Sequence, residues 1–264
     1  MDHQELRDRL RTALIAAREA GEIAVRSFRR QDFSVQLKHD SSPVTEADRA
    51  AEEHLRYRLH EAFPDDGILG EELPELPGKS GCRWVLDPID GTRSFICGVP
   101  LWGQLVGLEH GQRSLLGVIH LPVLAETVYA AEGQGAWYQS GDAPPVPARV
   151  SAKPTLKESL FCTSIVRLFD EVGHRAAYQT LQARAWETRT WGDCYGYVLV
   201  ATGRAEVMVD PKLQVWDCAA LQPVIEAAGG RFTDWDGLPT IYTGNGVATN
   251  GLVHEEVLSI LRRR

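Results

Sequence analysis

Apolar residues recur at helical spacing through the first thirty positions of the chain. Leu6, Leu10, Ala13, Leu14, Ala17, Ala24 and Phe28 form one stripe, interrupted by Arg7, Arg11, Arg18 and Glu22, the pattern of an amphipathic helix packed on something larger. A second helix is predicted from Thr45, as N-cap, through Leu55 and Leu59 until Pro64 stops it. From residue 84 the texture changes to short apolar runs at 84–86, 105–108, 115–121 and 126–130, separated by glycine-containing turns, which predicts a largely antiparallel sheet. The segment 140–148 is rich in proline and has no periodicity, so it suits an extended connector between a half at 1–144 and a half at 145–264. Beyond it, strands near 160–164 and 206–209 alternate with helices near 178–185, 195–201, 217–228 and from 254. That alternation favours a layered α/β half, and the expected class for the whole is α/β, built as layers of helix and sheet.

With 264 residues the chain can bury a sizeable core, as one large domain or two tightly joined halves. A formal net charge of −8 argues against a nucleic-acid binder, which needs a concentrated basic surface. It leaves room for a small phosphorylated ligand whose charge a bound metal neutralises. The longest apolar run near the N-terminus, 13–17, is far too short for a signal-peptide core or a bilayer span, so a cytoplasmic protein with no membrane partner is expected. The five cysteines include no C-x-x-C pair, and reduced thiols packed as small apolar residues are expected.

The chemistry concentrates at "DPIDGT", residues 87–92. Pro88 fixes its own φ and keeps Asp87 out of the helical region, so the strand is expected to end there in a rigid turn. Asp87 and Asp90 can then point the same way with the Ile89 carbonyl between them, an oxygen set of the kind Mg²⁺ selects. Gly91 and Thr92 follow at a predicted helix start, where backbone N–H groups and a hydroxyl suit a phosphate. Glu71 and Glu72 end another apolar run, and Asp217 stands at the start of a helix. Each acid alone reads equally as a solvated turn or an N-cap; together they form an oxygen-rich pocket for more than one divalent ion.

"GEE" at 70–72, "DPIDGT" at 87–92 and "WDCAA" at 216–220, in this order, resemble the signature of the inositol monophosphatase superfamily of Mg²⁺-dependent, lithium-sensitive phosphomonoesterases. "SPVTEAD" at 42–48 and "EAAGG" at 226–230 agree with it, so the resemblance spans nearly the whole chain. Leu221 departs from it, since many members carry glycine there. The resemblance implies an αβαβα sandwich and two to three Mg²⁺ ions. Glu71, Asp87 and the Ile89 carbonyl would bind the first, Asp87, Asp90 and Asp217 the second, and Glu71 with waters a weaker third. Thr92 paired with Asp48 would orient the attacking water, although Thr45 and Asp48 also have the spacing of a capping box. A homodimer is the assembly the resemblance implies.

"DPIDGTRSFICGVPLWG", "WGDCYGY" and "AALQPVIEAAGG" are most similar to the histidinol-phosphate phosphatase branch, which acts in histidine biosynthesis. Histidinol phosphate presents an amine and an imidazole, so its pocket should offer anionic acceptors. Asp193 and Asp210 lie in segments matching the family's substrate-facing positions, with an N-cap and a turn acid as their plain alternatives. Arg93 reads either as a phosphate or partner contact or as an exposed residue, and Trp102 as core. Inositol monophosphatase or 3′(2′),5′-bisphosphate nucleotidase activity is the alternative reaction. A Mg²⁺-binding regulatory protein of the same fold and a structural dimer module are the non-enzyme alternatives.

Overall fold

The protein is described here by a computed structural model covering residues 1–30, 34–37 and 43–263. Ser42 of the "SPVTEAD" motif and Arg264 of the C-terminal arginines lie outside the described residues. The N-terminal stripe forms helix α1 (His3–Arg30), with Leu6, Leu10, Ala13, Ala17 and Ala24 buried. Strands β1 (Val35–Leu37) and β2 (Pro43–Thr45) pair antiparallel and lead into α2 (Glu46–Ala62). Thr45 is the N-cap: its hydroxyl accepts from Ala47 N, while the Asp48 carboxylate accepts from Thr45 N and Oγ1 at 2.8 and 2.6 Å. These bonds satisfy amide groups that the first helical turn cannot.

Strands β3 (Gly67–Gly70), β4 (Cys82–Asp90), β5 (Gly103–His110), β6 (Arg113–Leu121), β7 (Glu126–Ala131), β8 (Gly135–Ser140) and β9 (Val146–Pro147) form a seven-stranded sheet in chain order. Only β3 and β4 run parallel in it. The short helix α3 (Thr92–Ile96) interrupts it between β4 and β5. Trp102 is core as expected: it and Phe95 are fully buried with ring centroids 4.9 Å apart, which seats α3 against Phe28 of α1. Arg93 is exposed.

The rest of the chain supplies β10 (Leu160–Cys162), α4 (Arg167–Glu171), α5 (Arg175–Arg184), β11 (Glu187–Arg189), α6 (Asp193–Ala201), β12 (Val207–Asp210), α7 (Val215–Cys218), α8 (Leu221–Ala227), β13 (Arg231–Thr233), β14 (Gly246–Thr249) and α9 (His254–Leu261). Its sheet runs β11-β10-β12-β14-β13. Alternation along β4 explains the stacking: Trp84 and Leu86 face the core under α1 and α2, while Val85 faces the core shared with α6 and α8. The far face of the second sheet buries Phe161, Val207 and Val209 against α5 and α9. The result is five layers, helix, sheet, helix, sheet, helix, as the resemblance implies.

Two expectations are corrected. The strand at 84–86 does not end at Asp87 but continues to Asp90. Asp87 pairs with Leu105 and Asp90 with Gly103, so one extra residue on β4 is absorbed as a bulge rather than a chain reversal. The helix at 217–228 is split into α7 and α8. Pro223 lacks the N–H that would bond the Ala219 carbonyl and its ring crowds that group. The link also lies against strand glycines: a Cβ at Gly117 would stand 2.0 Å from Ala220 O, and one at Gly107 would stand 2.7 Å from Ala219 C. Among the described residues no helix is long and apolar enough to cross a membrane.

Candidate active site

The bulge of β4 turns both its aspartates to one side. Ile89 N donates to Asp87 Oδ1 at 3.0 Å, and Gln104 Nε2 donates to Pro88 O at 3.0 Å, so the bulged peptides keep partners. Asp217 comes from the opposite layer, at the third position of α7, where its Oδ2 accepts from Gln214 N at 2.7 Å. Asp87, Asp90 and Asp217 each offer one oxygen within 4.8 Å of the others. Glu71 follows β3 directly, and its N–H donates to Leu86 O at 3.2 Å, so it enters the cluster beside Asp87.

Charge is poorly tolerated there. Burial, then Glu71, Asp90 and Asp217, push Asp87 well above the carboxylate range; burial, then Asp193 and Asp217, do the same for Asp90. Asp217 is pushed up to about 7, by burial first and Glu71 next among the raising influences. A divalent cation among these oxygens would offset both penalties, so the donor set fits Mg²⁺ in its chemistry. Asp48 is raised to about 6 by burial, with Glu71 adding to it. Its Oδ2 is held by Thr45, and its Oδ1 lies 3.5 Å from Thr92 Oγ1, which is also 3.1 Å from Ile89 O. The capping box and the approach to Thr92 therefore coexist, each using one carboxylate oxygen.

Next to the cluster is a cavity of about 90 Å³ lined by Asp90, Asp193, Asp210, Asp217, Ser164 and Leu221, among others. Asp193 is not an N-cap; Gly192 is, and Asp193 is the first residue of α6 with φ of 51°. Its N–H donates to Ser164 Oγ at 2.8 Å, and its carboxyl is raised to about 7 by burial and Asp210, against the pull of Arg93 and a hydrogen bond from Ser94. Cys194 N, one residue on, donates to Asp90 Oδ2. Gly91 has φ of 89°, and a Cβ there would stand 3.2 Å from Asp193 Oδ2 and 3.0 Å from Leu101 O, so only glycine lets these elements meet. Asp210 is not a turn acid either. It ends β12, buried, and accepts from Thr163 Oγ1, Ser164 N, Ser164 Oγ and Tyr197 Oη at 2.8 to 3.3 Å.

The structure thus brings Glu71, Asp87, Ile89, Asp90, Asp217, Thr92 and Asp48 to one place, with Gly91, Asp193 and Asp210 beside them. Ser164, Tyr197 and Gln104 escape sequence reasoning, because each acts through a partner distant in the chain. Leu221 stood out only as a departure from the family pattern, and it lines the cavity.

Comparison with known proteins gives a consistent picture. The inositol monophosphatase family model matches residues 5–264. A histidinol-phosphatase of Chlorobaculum parvum is 44% identical over 240 residues, 91% of each chain. One of Mycobacterium tuberculosis is 38% identical, over 96% of this chain and 98% of that one. Among solved structures, the Thermotoga maritima IMPase superposes with a TM-score of 0.85 at 30% identity, covering 96% of both chains.

Proposed function

Because the chain belongs to the inositol monophosphatase family, we propose that it is a phosphoric monoester hydrolase that converts histidinol phosphate to histidinol and inorganic phosphate, a step of histidine biosynthesis. The observation that carries this reading is an acidic cavity continuous with an acidic cluster. Asp90 and Asp217 border both, and Asp193 and Asp210 extend the negative lining beyond them. The first group suits the ions a phosphate needs, and Asp193 in the second suits the amine or imidazole of the alcohol.

In this proposal Glu71, Asp87 and the Ile89 carbonyl would hold one Mg²⁺, Asp87, Asp90 and Asp217 would hold a second, and Glu71 with waters a third. Such ions supply a water acidic enough to attack at neutral pH and positive charge against the departing alkoxide. The chain's own groups do the positioning. With its proton directed to Asp48 Oδ1, the Thr92 hydroxyl oxygen accepts from the attacking water and fixes its orientation; Thr45 keeps Asp48 in place by holding Oδ2. Phosphate rests against Gly91 and Thr92, where the first amides of α3 lack intrahelical partners. Asp193 faces the cationic part of the substrate, and Asp210, already engaged by four donors, sets Ser164 and through it the Asp193 backbone.

A cytoplasmic homodimer belongs to the same proposal. Trp186 and Trp191, on either side of the edge strand β11, are exposed and would supply apolar surface for a second copy; light scattering of the purified chain tests the stoichiometry. The reaction is tested by phosphate release from histidinol phosphate, inositol 1-phosphate and adenosine 3′,5′-bisphosphate with and without Mg²⁺. Histidinol phosphate should be turned over fastest, and only with the metal. Preference for either other ester would transfer the chain to that activity, and no turnover of any ester would favour a binding protein.

A further inference from the structure

Helix α2 carries Asp48, Glu52 and Arg56 four residues apart, on one face. Asp48 reaches Thr92. Glu52, fully buried, reaches the segment after β3: its Oε2 accepts from Glu72 N at 2.7 Å, and its Oε1 accepts from Leu73 N at 3.2 Å and from Arg56 Nε at 2.7 Å. Arg56 completes the grip from the other side of the same peptides. Its Nη2 donates to Leu73 O at 2.8 Å and its Nη1 to Pro74 O at 2.9 Å. Even the residue before Glu71 is shaped to this contact, since a Cβ at Gly70 would lie 2.1 Å from Glu52 Oε1. Glu71 therefore sits between two fixed points, its own N–H on Leu86 O of β4 and the next amide on the Glu52 carboxylate.

We propose that Glu52, braced by Arg56, is a positioning residue that sets the backbone of Glu71 relative to Asp87 and thereby sets the affinity of the site for Mg²⁺. The inference rests on the reading of Glu71 as a ligand. Glu52 offers only acceptors, and three donors converge on it. A neutral amide of the same shape presents one oxygen and one NH₂, so at least one backbone N–H meets another donor and the segment must shift. Burying a carboxylate is itself costly, and Arg56 at 2.7 Å offsets the cost by a charge-assisted bond. Because the same helix carries Asp48, the brace also keeps the Thr92 pair and the Glu71 backbone in a fixed relation.

The experiment is a Mg²⁺ titration by calorimetry on substrate-free wild type, Glu52→Gln, Glu71→Gln and the double variant, together with thermal unfolding of each in chelator. Groups that orient a metal ligand typically change affinity by about 10–100-fold when replaced. Glu52→Gln should weaken the tighter Mg²⁺ site by about tenfold or more, with kcat largely restored at high Mg²⁺. The double variant should bind no more weakly than Glu71→Gln alone, since both changes act through one side chain. A lower unfolding temperature with unchanged Mg²⁺ affinity would make Glu52 merely structural and overturn the proposal. If Glu71→Gln itself leaves affinity unchanged, the ligand reading fails instead, so the two failures are distinct. Should Glu52→Gln not fold, Arg56→Gln takes its place. It leaves the carboxylate but frees the Leu73 and Pro74 carbonyls, and it should shift Mg²⁺ affinity in the same direction by a smaller factor; no shift would overturn the proposal.

Discussion

Asp87 is the side chain on which the cluster turns. It is buried beside Glu71, Asp90 and Asp217, and each of them raises the cost of its charge. Asp87→Asn keeps the shape but removes an anionic oxygen that both main ion positions would use. Turnover at saturating Mg²⁺ should fall on the order of a thousandfold, equivalent to several kcal/mol of transition-state stabilisation. In chelator the variant should unfold at a higher temperature than wild type, because one member of a repelling set has become neutral. Wild-type turnover in the folded variant would remove Asp87 from the reaction. Asp193 offers a test of substrate choice. Its positive φ is one that asparagine also tolerates, so Asp193→Asn changes charge with little backbone strain. A charge-assisted hydrogen bond contributes roughly 1.5–3 kcal/mol, so kcat/KM for histidinol phosphate should fall about ten- to a hundredfold. Glycerol phosphate, whose alcohol carries no cation, should lose much less. An unchanged ratio of the two would take Asp193 out of substrate recognition.

At the scale of elements, the site depends on interruptions of regular structure. The β4 bulge re-aims Asp87 and Asp90, and the break between α7 and α8 lets Asp217 approach from the second layer. That break is packed onto Gly107 and Gly117, so Gly117→Ala should lower the unfolding free energy in urea by about 1–3 kcal/mol through overpacking. Equal midpoints and slopes for the two proteins would show that the link moves without cost. These elements also show what the sequence makes legible. Long periodic segments are plain in it: α1 and α2 follow from the leucine and alanine spacing, and the acids of the site follow from motifs at strand and helix ends. The bulge was not, because Pro88 reads equally as the end of a strand; nor was the helix break, because an apolar run containing one proline still has helical period. Strands β8 and β11 and helix α4 are short and partly polar, so their formation is decided by neighbours distant in the chain. The same holds for Glu52, Gln104, Ser164 and Tyr197, whose partners come from other elements.

Across the whole molecule, the five layers place acids from both sheets at one junction. Asp87 and Asp90 come from the first sheet and Glu71 from the residue after β3, Asp193 and Asp217 from the middle helices, and Asp210 from the second sheet. Stability of the body should depend on pH through two buried histidines away from the cluster. His254, held between Thr233 and Thr249, and His120, bonded to Thr127, are each lowered to about 4, by burial first. The unfolded chain takes up their protons below the ordinary value of 6.5, whereas the folded chain resists until about 4. Their stabilising contribution is therefore whole above pH 6.5 and is lost as pH falls from 6.5 towards 4. The buried acids of the cluster act in the opposite sense in this window, so the test is a difference: the slope of unfolding temperature against pH should be less positive in His254→Gln than in wild type. An equal slope would show that His254 titrates in the fold as it does in the unfolded chain.

Metal-dependent hydrolysis of a cationic phosphate ester is the central property of the proposed enzyme, and one competition measures it directly. Purified protein is given equal concentrations of histidinol phosphate and inositol 1-phosphate, in Mg²⁺ and again in chelator, and the consumption of each ester is followed. The expected result is consumption of histidinol phosphate at least about tenfold faster, the lower bound for one charge-assisted contact, and none of either ester in chelator. Equal or faster loss of inositol 1-phosphate, or hydrolysis that survives removal of the metal, would contradict it.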